Sequence, residues 1–355
     1  LGGAYALRAK MDFCRPTKTN MLLLGVLFIG LVQVLFSLRG TLQAAQGFAS
    51  PNHDVGGSVD VSPVSPGRWC AETWYHSSQM EKVFRQDADR LTENETILCD
   101  TLRQFQYMDM WEAPIRERTF RRPETLVFST MCRQGFQPQV LEPLAGILRD
   151  PRFPCDTAKV GNKDAYAGSK EWLLLADSAD FPPYEDTRRI FFDAGGTTFR
   201  SALLWFLRQY ETRGLPLDEI FVWEAKTISD EDYWAGVPNS TRDLYRSKLT
   251  RFNGIPIVTD LGGYHNPVTH IRKRCRRQDF CVFKLDVDTP SVEMPIVYQL
   301  IEDPGHLSEF YFEHHVRSPI MSRFWGLTRI NGTVQYSYDL LSQMRQKGIR
   351  AHSWI

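Results

Sequence analysis

Apolar and polar positions along the second half of the chain follow two different periods. Five short apolar runs each close on acidic or histidine residues, as expected of strands that are buried on both faces of a sheet. The segment after the first run has apolar residues at the helical spacing i, i+3, i+4, from Phe199 to Tyr210, and Gly214 is placed to end that helix. The runs are IFFD (190–193), EIFVWE (219–224), IPIVTD (255–260), CVFKLDVD (281–288) and EFYFEHH (309–315).

This alternation of strands and helices predicts right-handed βαβ units. The fold class that we expect is α/β, a doubly wound and mostly parallel sheet of the Rossmann-like type, over residues 181–355. Residues 69–180 are expected to form an N-terminal extension that packs on this domain. Within the extension the pattern predicts helical structure over 77–105 and a helix over 138–148, and apolar runs lie at 126–130 and 171–176.

The N-terminal region has the pattern of a membrane anchor. Residues 21–38 form an uncharged apolar run that is long enough to cross a bilayer as a helix. Basic residues precede this run and only Arg39 follows it closely, which predicts a type II orientation with residues 1–20 in the cytosol. Residues 39–68, rich in Gly, Ser and Pro, would then be a flexible stem. The alternative is a signal peptide cleaved near 44–47, after which the protein would be secreted.

The sequence signals beyond this segment agree with an ER or Golgi lumen. N-glycosylation sequons begin at Asn94, Asn239 and Asn331. Six of the seven cysteines follow the apolar run, an even number that suits an oxidising compartment. Pairing by proximity would join Cys70 to Cys99, Cys132 to Cys155 and Cys275 to Cys281, but the connectivity is open, and Cys281 could instead be a buried thiol.

Composition and charge limit the classes of molecule that the chain is expected to bind. The chain has 355 residues, 43% of them hydrophobic, which is ample for a buried core. Its formal net charge is zero, so no nucleic-acid partner is expected. The basic cluster at 272–277 could attract an anionic glycan or phosphate, but most such runs are a solvated helix face. Trp205, Trp223 and Trp325 are predicted to be core residues, whereas Lys284, inside an apolar run, has no explanation at this level.

Acidic residues close each predicted strand, and the carboxyl ends of parallel strands are where doubly wound sheets bind ligands. Gly195 and Gly196 would let main chain approach a ligand closely, while Thr197 and the first helical N–H groups could hydrogen-bond it. Asp193 could hold a cationic or hydroxyl-bearing part of that ligand. Glu224, after the second strand, is placed to accept both hydroxyls of a ribose. Together these residues predict a cofactor that contains adenosine.

Five segments in this order resemble the FkbM-like branch of class I S-adenosylmethionine-dependent methyltransferases. They are FFDAGGTTF, IFVWEA, VFKLDVDTPSVE, EFYFEHHV and MRQKGIRAHSWI, all within residues 181–355, with a weaker similarity at 142–155. The resemblance implies S-adenosylmethionine as the cofactor, with Asp193 and Gly195 at its methionine part and Glu224 at its ribose. It further implies that Asp260 lies near the adenine and that Asp286 faces the substrate or the methyl group.

Three hypotheses about function follow. The first is methyl transfer to an oxygen or nitrogen of a glycan or small metabolite, with Asp286 and His314 as candidate catalytic residues. In the second, Asp286-Val-Asp288 is the DxD motif of a type II Golgi glycosyltransferase. The third is a non-catalytic lumenal module that retains the fold. Asp286 and Asp288 would share one face of a strand and could bind a cation together with Glu313. Alternatively, Asp288 could cap the next helix, and no metal is assigned to these residues.

Overall fold

The helices and strands below come from a computed structural model, which describes residues 73–108, 127–133, 138–155, 163–182, 184–325 and 330–355. The predicted tail, anchor and stem (1–68) lie outside these residues. None of the helices within them combines the length and the hydropathy that a membrane span needs. The described residues belong to one compact unit, Pro63–Ile355.

The N-terminal part of this unit is a small mixed layer. Its strands β1 to β3 form an antiparallel sheet in that order. The elements are β1 (Trp74–His76), α1 (Gln79–Gln86), α2 (Ala88–Leu91), α3 (Glu95–Gln104), β2 (Ser129–Cys132), β3 (Gln139–Leu141), α4 (Arg152–Cys155) and a 3₁₀ turn, Lys163–Tyr166.

A six-stranded sheet forms the centre of the C-terminal part, and every neighbouring pair of its strands is parallel. The strands are β4 (Arg189–Ala194), β5 (Glu219–Glu224), β6 (Leu249–Asn253), β7 (Phe280–Leu285), β8 (Glu309–Phe312) and β9 (Arg350–Ser353). The helices are α5 (Ala202–Thr212), α6 (Asp230–Tyr233), α7 (Asn239–Arg246), α8 (Pro267–Arg274), α9 (Pro290–Glu302), α10 (Ser322–Trp325) and α11 (Val334–Gln346).

The strands lie in the order β6-β5-β4-β7-β8-β9, which confirms the predicted α/β class and its parallel sheet. Counted from β4, this is the 3-2-1-4-5-6 order of the Rossmann-like folds. Helices cover both faces: Phe206 of α5 packs on Tyr311 of β8, whereas His270 of α8 packs on Trp223 of β5. The chain reverses direction across the sheet between β4 and β7, so the ends of those two strands are where a ligand is expected.

Two predicted elements are wrong. Residues 255–260 form no strand, because Pro256 cannot donate to a ladder, and the third strand is instead the more polar segment Leu249–Asn253. Residues 138–148 form no helix either. Gln139–Leu141 pairs with β2, after which Pro143 and the left-handed conformations of Gly146 and Leu148 make an irregular loop.

The disulfides correct two of the proximity pairings. Cys99 is bonded to Cys155, which joins α3 to α4, so Cys99 does not pair with Cys70 and Cys155 does not pair with Cys132. Cys275–Cys281 forms as the spacing indicates, and Cys281 is therefore not a thiol.

A buried ionic network joins the N-terminal layer to the sheet. His352 of β9 lies between two carboxylates, with Nδ1 2.6 Å from Glu142 and Nε2 2.9 Å from Glu309. Arg345 of α11 donates to Glu142 over 3.2 Å, and Arg350 donates to Glu309 over the same distance. All five side chains are buried, so each charge depends on its partners for compensation.

Candidate functional site

Lys284 is the centre of a buried ion-paired triad at the carboxyl edge of the sheet. Asp193 and Lys284 occupy paired positions on β4 and β7, and Lys284 Nζ lies 3.2 Å from Asp193 and 3.1 Å from Asp286. Burial lowers the pKa of Lys284, but the two carboxylates outweigh that effect and raise the pKa above its ordinary value. Lys284 is therefore a cation with two carboxylate partners, which explains why a lysine lies inside an apolar run.

The double glycine closes the gap between β4 and β7. Gly195 has a φ of +95°, and a Cβ added there would lie 1.7 Å from the carbonyl oxygen of Asp286. The N–H groups of Gly195 and Gly196 both donate to the carbonyl of Trp223, at 2.9 and 3.2 Å. The expectation that this turn leads directly into a helix is wrong, because α5 begins only at Ala202. The glycines serve close packing, and Thr197 lies exposed in the loop.

Glu224 ends β5 on the other side of β4. It is partly buried, and its Oε1 accepts the Lys226 N–H at 2.7 Å, while its second carboxylate oxygen has no hydrogen-bond partner in the described parts of the chain. The charge of Glu224 lies close enough to Asp193 to raise the pKa of that carboxyl, although burial has the larger effect. The structure thus brings Asp193 and Glu224 together, as the sequence predicts.

Two buried oxygens near the end of β4, the corner of the site next to Glu224, have no hydrogen-bond partner among the described residues. They are Tyr233 Oη and Asp193 Oδ2, and the charge of Asp193 acts on Tyr233 strongly enough to contribute to the raised pKa of its hydroxyl, after burial. A Cβ at Gly196 would approach Asp193 Oδ2 to 2.9 Å. Buried polar atoms normally have partners, so this corner is suited to a polar ligand.

Asp260 does not lie at a strand end. The segment that contains it runs outside the sheet between β6 and α8, and its side chain is exposed beside the turn to Gly263. The prediction assumes that the third strand ends at Asp260, but this strand is Leu249–Asn253 and ends at Asn253. The side-chain amide of Asn253 forms hydrogen bonds with the backbone N–H and C=O of Ile228. The expected position of Asp260 beside the cofactor is therefore not supported by the fold.

Asp286 and Glu313 form the second half of the site, at the ends of β7 and β8. Burial is the largest influence on Asp286, and together with the Glu313 carboxylate it raises the pKa of Asp286 to about 7 in spite of Lys284. Burial also acts to raise the pKa of Glu313, but hydrogen bonds with His315 and Asp286 lower it to about 2. One proton is therefore shared by two adjacent carboxyls, and Asp286 titrates near neutral pH.

Asp288 does not share the environment of Asp286. The strand ends at Leu285 and Asp288 has a φ of +56°, so the extended geometry on which the common face depends is absent. Asp288, Glu313 and His315 have ligand atoms within 4.8 Å of one another. Of these, His315 lies 3.2 Å from Glu313 and 3.9 Å from Asp288. Two carboxylates and an imidazole could hold a divalent cation.

His314 lies apart from these groups. Its ring stacks on Phe312, and Nδ1 is 2.8 Å from the Ser337 hydroxyl of α11. Burial lowers the pKa of His314 to about 4. The contacts of the next residue, His315, with Glu313 favour His315 over His314 for proton transfer beside Asp286.

Two cations of the N-terminal layer belong to the site, although no sequence motif marks them. Burial lowers the pKa of Arg149 to about 10, and its largest opposing interactions are with Glu313 and Asp286. Burial, followed by the positive charge of Lys284, lowers the pKa of Lys170, which Glu313 and Asp286 oppose. Both lie more than 100 residues before the carboxylates along the chain, so only the folded chain could reveal them.

The basic cluster, residues 272–277, lies near the amino-terminal ends of the strands, away from the carboxyl edge. Arg274, at the end of α8, pairs with Glu219, the first residue of β5, and Arg272 and Arg276 pair with Asp303 and Asp279. These ion pairs favour a structural role over binding of an anion. Trp223 is buried in the core as predicted, Trp205 is only partly buried, and the side chain of Trp325 lies outside the described residues.

The chain matches no protein-family model, no curated protein and no solved structure.

Proposed function

We propose that this protein binds S-adenosylmethionine at the carboxyl edge of β4 and β5 and transfers its methyl group to an oxygen or nitrogen of a glycan or small metabolite. The observation that carries the proposal is the convergence of Asp193, Glu224 and Asp286 on the strand ends next to the reversal point of the sheet. Doubly wound sheets bind nucleotide cofactors at this place.

The residues at this corner fit the cofactor. The Glu224 oxygen that lacks a described partner can accept a ribose hydroxyl, and the buried oxygens of Asp193 and Tyr233 can accept from the amino group of the methionine part. The backbone N–H groups of Gly195 and Gly196 take no part, because both already bond to Trp223. The exposed hydroxyl of Thr197 remains a candidate contact.

The Asp286–Glu313 pair supplies the chemistry. S-adenosylmethionine would supply the methyl group when bound, and the acceptor would need a base to take up its proton. With a pKa of about 7, Asp286 is matched to that task at physiological pH.

The Glu224→Gln variant tests the cofactor site. We expect it to weaken S-adenosylmethionine and S-adenosylhomocysteine binding about 10- to 100-fold, since a hydrogen bond to a charged group contributes about 1.5–3 kcal/mol. Calorimetry on the purified full-length chain measures this. Glu219→Gln is the matched control, because Glu219 begins the same strand at the opposite edge of the sheet. Equal affinity of Glu224→Gln and the control would contradict the proposed ribose contact.

Direct titration tests the base. Carbon-13 NMR of the aspartate carboxyls, with the Asp286 signal identified by its loss in Asp286→Asn, should show a midpoint near pH 7 instead of the usual value of about 4. In Glu313→Gln the midpoint should move to lower pH, because the neighbouring negative charge is removed. A wild-type midpoint below pH 5 would argue against Asp286 as the base.

A metal-dependent glycosyltransferase is the second candidate, and the cluster of Asp288, Glu313 and His315 favours it. Titration of the full-length chain with Mn²⁺, with and without a nucleotide sugar such as UDP-glucose, separates the two candidates. Saturable Mn²⁺ binding that strengthens with UDP-glucose and disappears in Asp288→Asn supports the glycosyltransferase. Binding of S-adenosylmethionine without that response supports the methyltransferase.

We also propose that this reaction takes place in the ER or Golgi lumen, with the chain anchored through residues 21–38. The disulfides Cys99–Cys155 and Cys275–Cys281 support an oxidising compartment. Asn94 and Asn239 are exposed, as acceptors of N-linked glycans are expected to be.

A further inference from the structure

We propose that a cleft beside the Asp286–Glu313 pair is the acceptor subsite and that it takes a saccharide ring bearing a carboxylate. This inference rests on the proposed methyl transfer for its role and names the class of its acceptor.

The cleft lies between the N-terminal layer and α5. Its volume is about 350 Å³, which is within the range of small-molecule sites. It is lined by Ala165, Tyr166, Gly168, Ser169, Lys170 and Trp205, with Glu171 at the rim. Two aromatic rings, one cation and two hydroxyls therefore face a space large enough for a sugar ring.

Trp205 gives the cleft a fixed apolar wall. Its ring packs edge-on against Phe206, at 5.0 Å between centroids, and lies tilted against Trp354 at 5.7 Å, while part of its surface stays accessible. These contacts hold the indole in place before any ligand binds, which reduces the entropic cost of binding. A saccharide ring has an apolar C–H face that can cover such a wall, while its hydroxyls remain available to Ser169 and Tyr166.

Lys170 connects the cleft to the acid pair. Its ammonium lies 4.9 Å from the centre of the Trp354 ring and 6.0 Å from that of Trp205. Its charge also interacts with Asp286 and Glu313, so Lys170 relates the cleft to the acid pair at the strand ends. A carboxylate on the ring would pair with Lys170, whose only charged neighbour on the cleft lining, Glu171, is already paired with Arg152.

Gly168 allows a test that leaves the backbone unstrained. A Cβ at this position meets no heavy atom within 4 Å, and Gly168 does not have a left-handed conformation. In Gly168→Leu the new side chain should fill the cleft, and Gly168→Ala should have a smaller effect. Arg208→Leu is the control, because Arg208 is exposed on α5 one turn beyond Trp205 and does not line the cleft.

The experiment is saturation-transfer NMR on the full-length chain with glucuronic acid and with glucose as its uncharged match. We expect glucuronic acid to bind wild type and Arg208→Leu alike, and Gly168→Leu at least tenfold more weakly. Lys170→Gln should reduce the preference for glucuronic acid over glucose about tenfold, as expected for a charge-assisted hydrogen bond. Equal binding of both sugars by wild type, or glucuronic acid binding that Gly168→Leu leaves unchanged, would overturn the inference.

Calorimetry with S-adenosylmethionine on the same variants keeps this inference separate from the proposed function. Gly168→Leu should bind the cofactor as wild type does, because Gly168 contacts neither Asp193 nor Glu224. Sugar binding without cofactor binding would disprove methyl transfer and leave the sugar site in place. Cofactor binding with no saturable sugar binding would disprove the acceptor class alone.

Discussion

Replacing Arg345 by methionine is expected to lower the free energy of unfolding by about 3–5 kcal/mol, because it removes a guanidinium that compensates two buried carboxylates. Arg345 is fully buried, donates to Glu142 and lies 3.7 Å from Glu81. Both acids belong to the N-terminal layer, whereas Arg345 belongs to α11. Urea unfolding of wild type and variant, followed by tryptophan fluorescence, measures the difference.

Lys347→Met is the matched control, since Lys347 follows the same helix but is exposed, and a change within about 0.5 kcal/mol is expected there. The double variant Arg345→Met with Glu142→Gln should recover part of the loss, because it removes one of the uncompensated charges. A stability of Arg345→Met equal to that of the control would mean that the network contributes little to the attachment of the two layers.

Replacing Lys284 by methionine is expected to have an effect of similar size, about 3–5 kcal/mol, and also to alter the site. Lys284 is the cation between Asp193 and Asp286, and Asp193 is buried too deeply to be solvated in its place. Removing the ammonium should therefore force Asp193 to bind a proton in the folded state. Urea unfolding at pH 7 measures the loss, and the same NMR titration should show a higher midpoint for Asp286.

The double variant Asp193→Asn with Lys284→Met is the informative comparison. It removes both members of the buried pair and should be more stable than Lys284→Met alone, although Asp286 still lacks its partner. If Lys284→Met is as stable as wild type, the two carboxyls are already protonated in the native protein, and the charge assignment of the triad is wrong.

The central strands could be predicted from the sequence because a strand buried on both faces is a continuous apolar run. This holds for Arg189–Ala194 and Glu219–Glu224. The outer strands do not have this pattern. Leu249–Asn253 lies at an edge of the sheet and is partly polar, and Arg350–Ser353 is fully buried although it contains an arginine and a histidine. The polar side chains of Arg350–Ser353 are compensated by Glu142 and Glu309, which no periodicity can reveal.

The site could be predicted in part for a similar reason. Asp193, Glu224 and Asp286 follow apolar runs, and their position at strand ends marks them as candidates. The partners that set their charge states come from pairing across the sheet or from distant segments. Lys284 depends on the register of β4 against β7, and Lys170 reaches the acids only after the N-terminal layer has packed.

The contact between Gly195 and the carbonyl of Asp286 has a consequence for the route by which a molecule enters. In many sheets of this topology a ligand binds in the crevice at the carboxyl ends of the two strands where the strand order reverses. Here the main chain at the end of β4 contacts the main chain after β7. No change of side-chain rotamer can therefore open a passage between these two strands. A ligand would instead have to approach from outside the carboxyl edge of the sheet, on the side of Glu224 or on the side of Lys170.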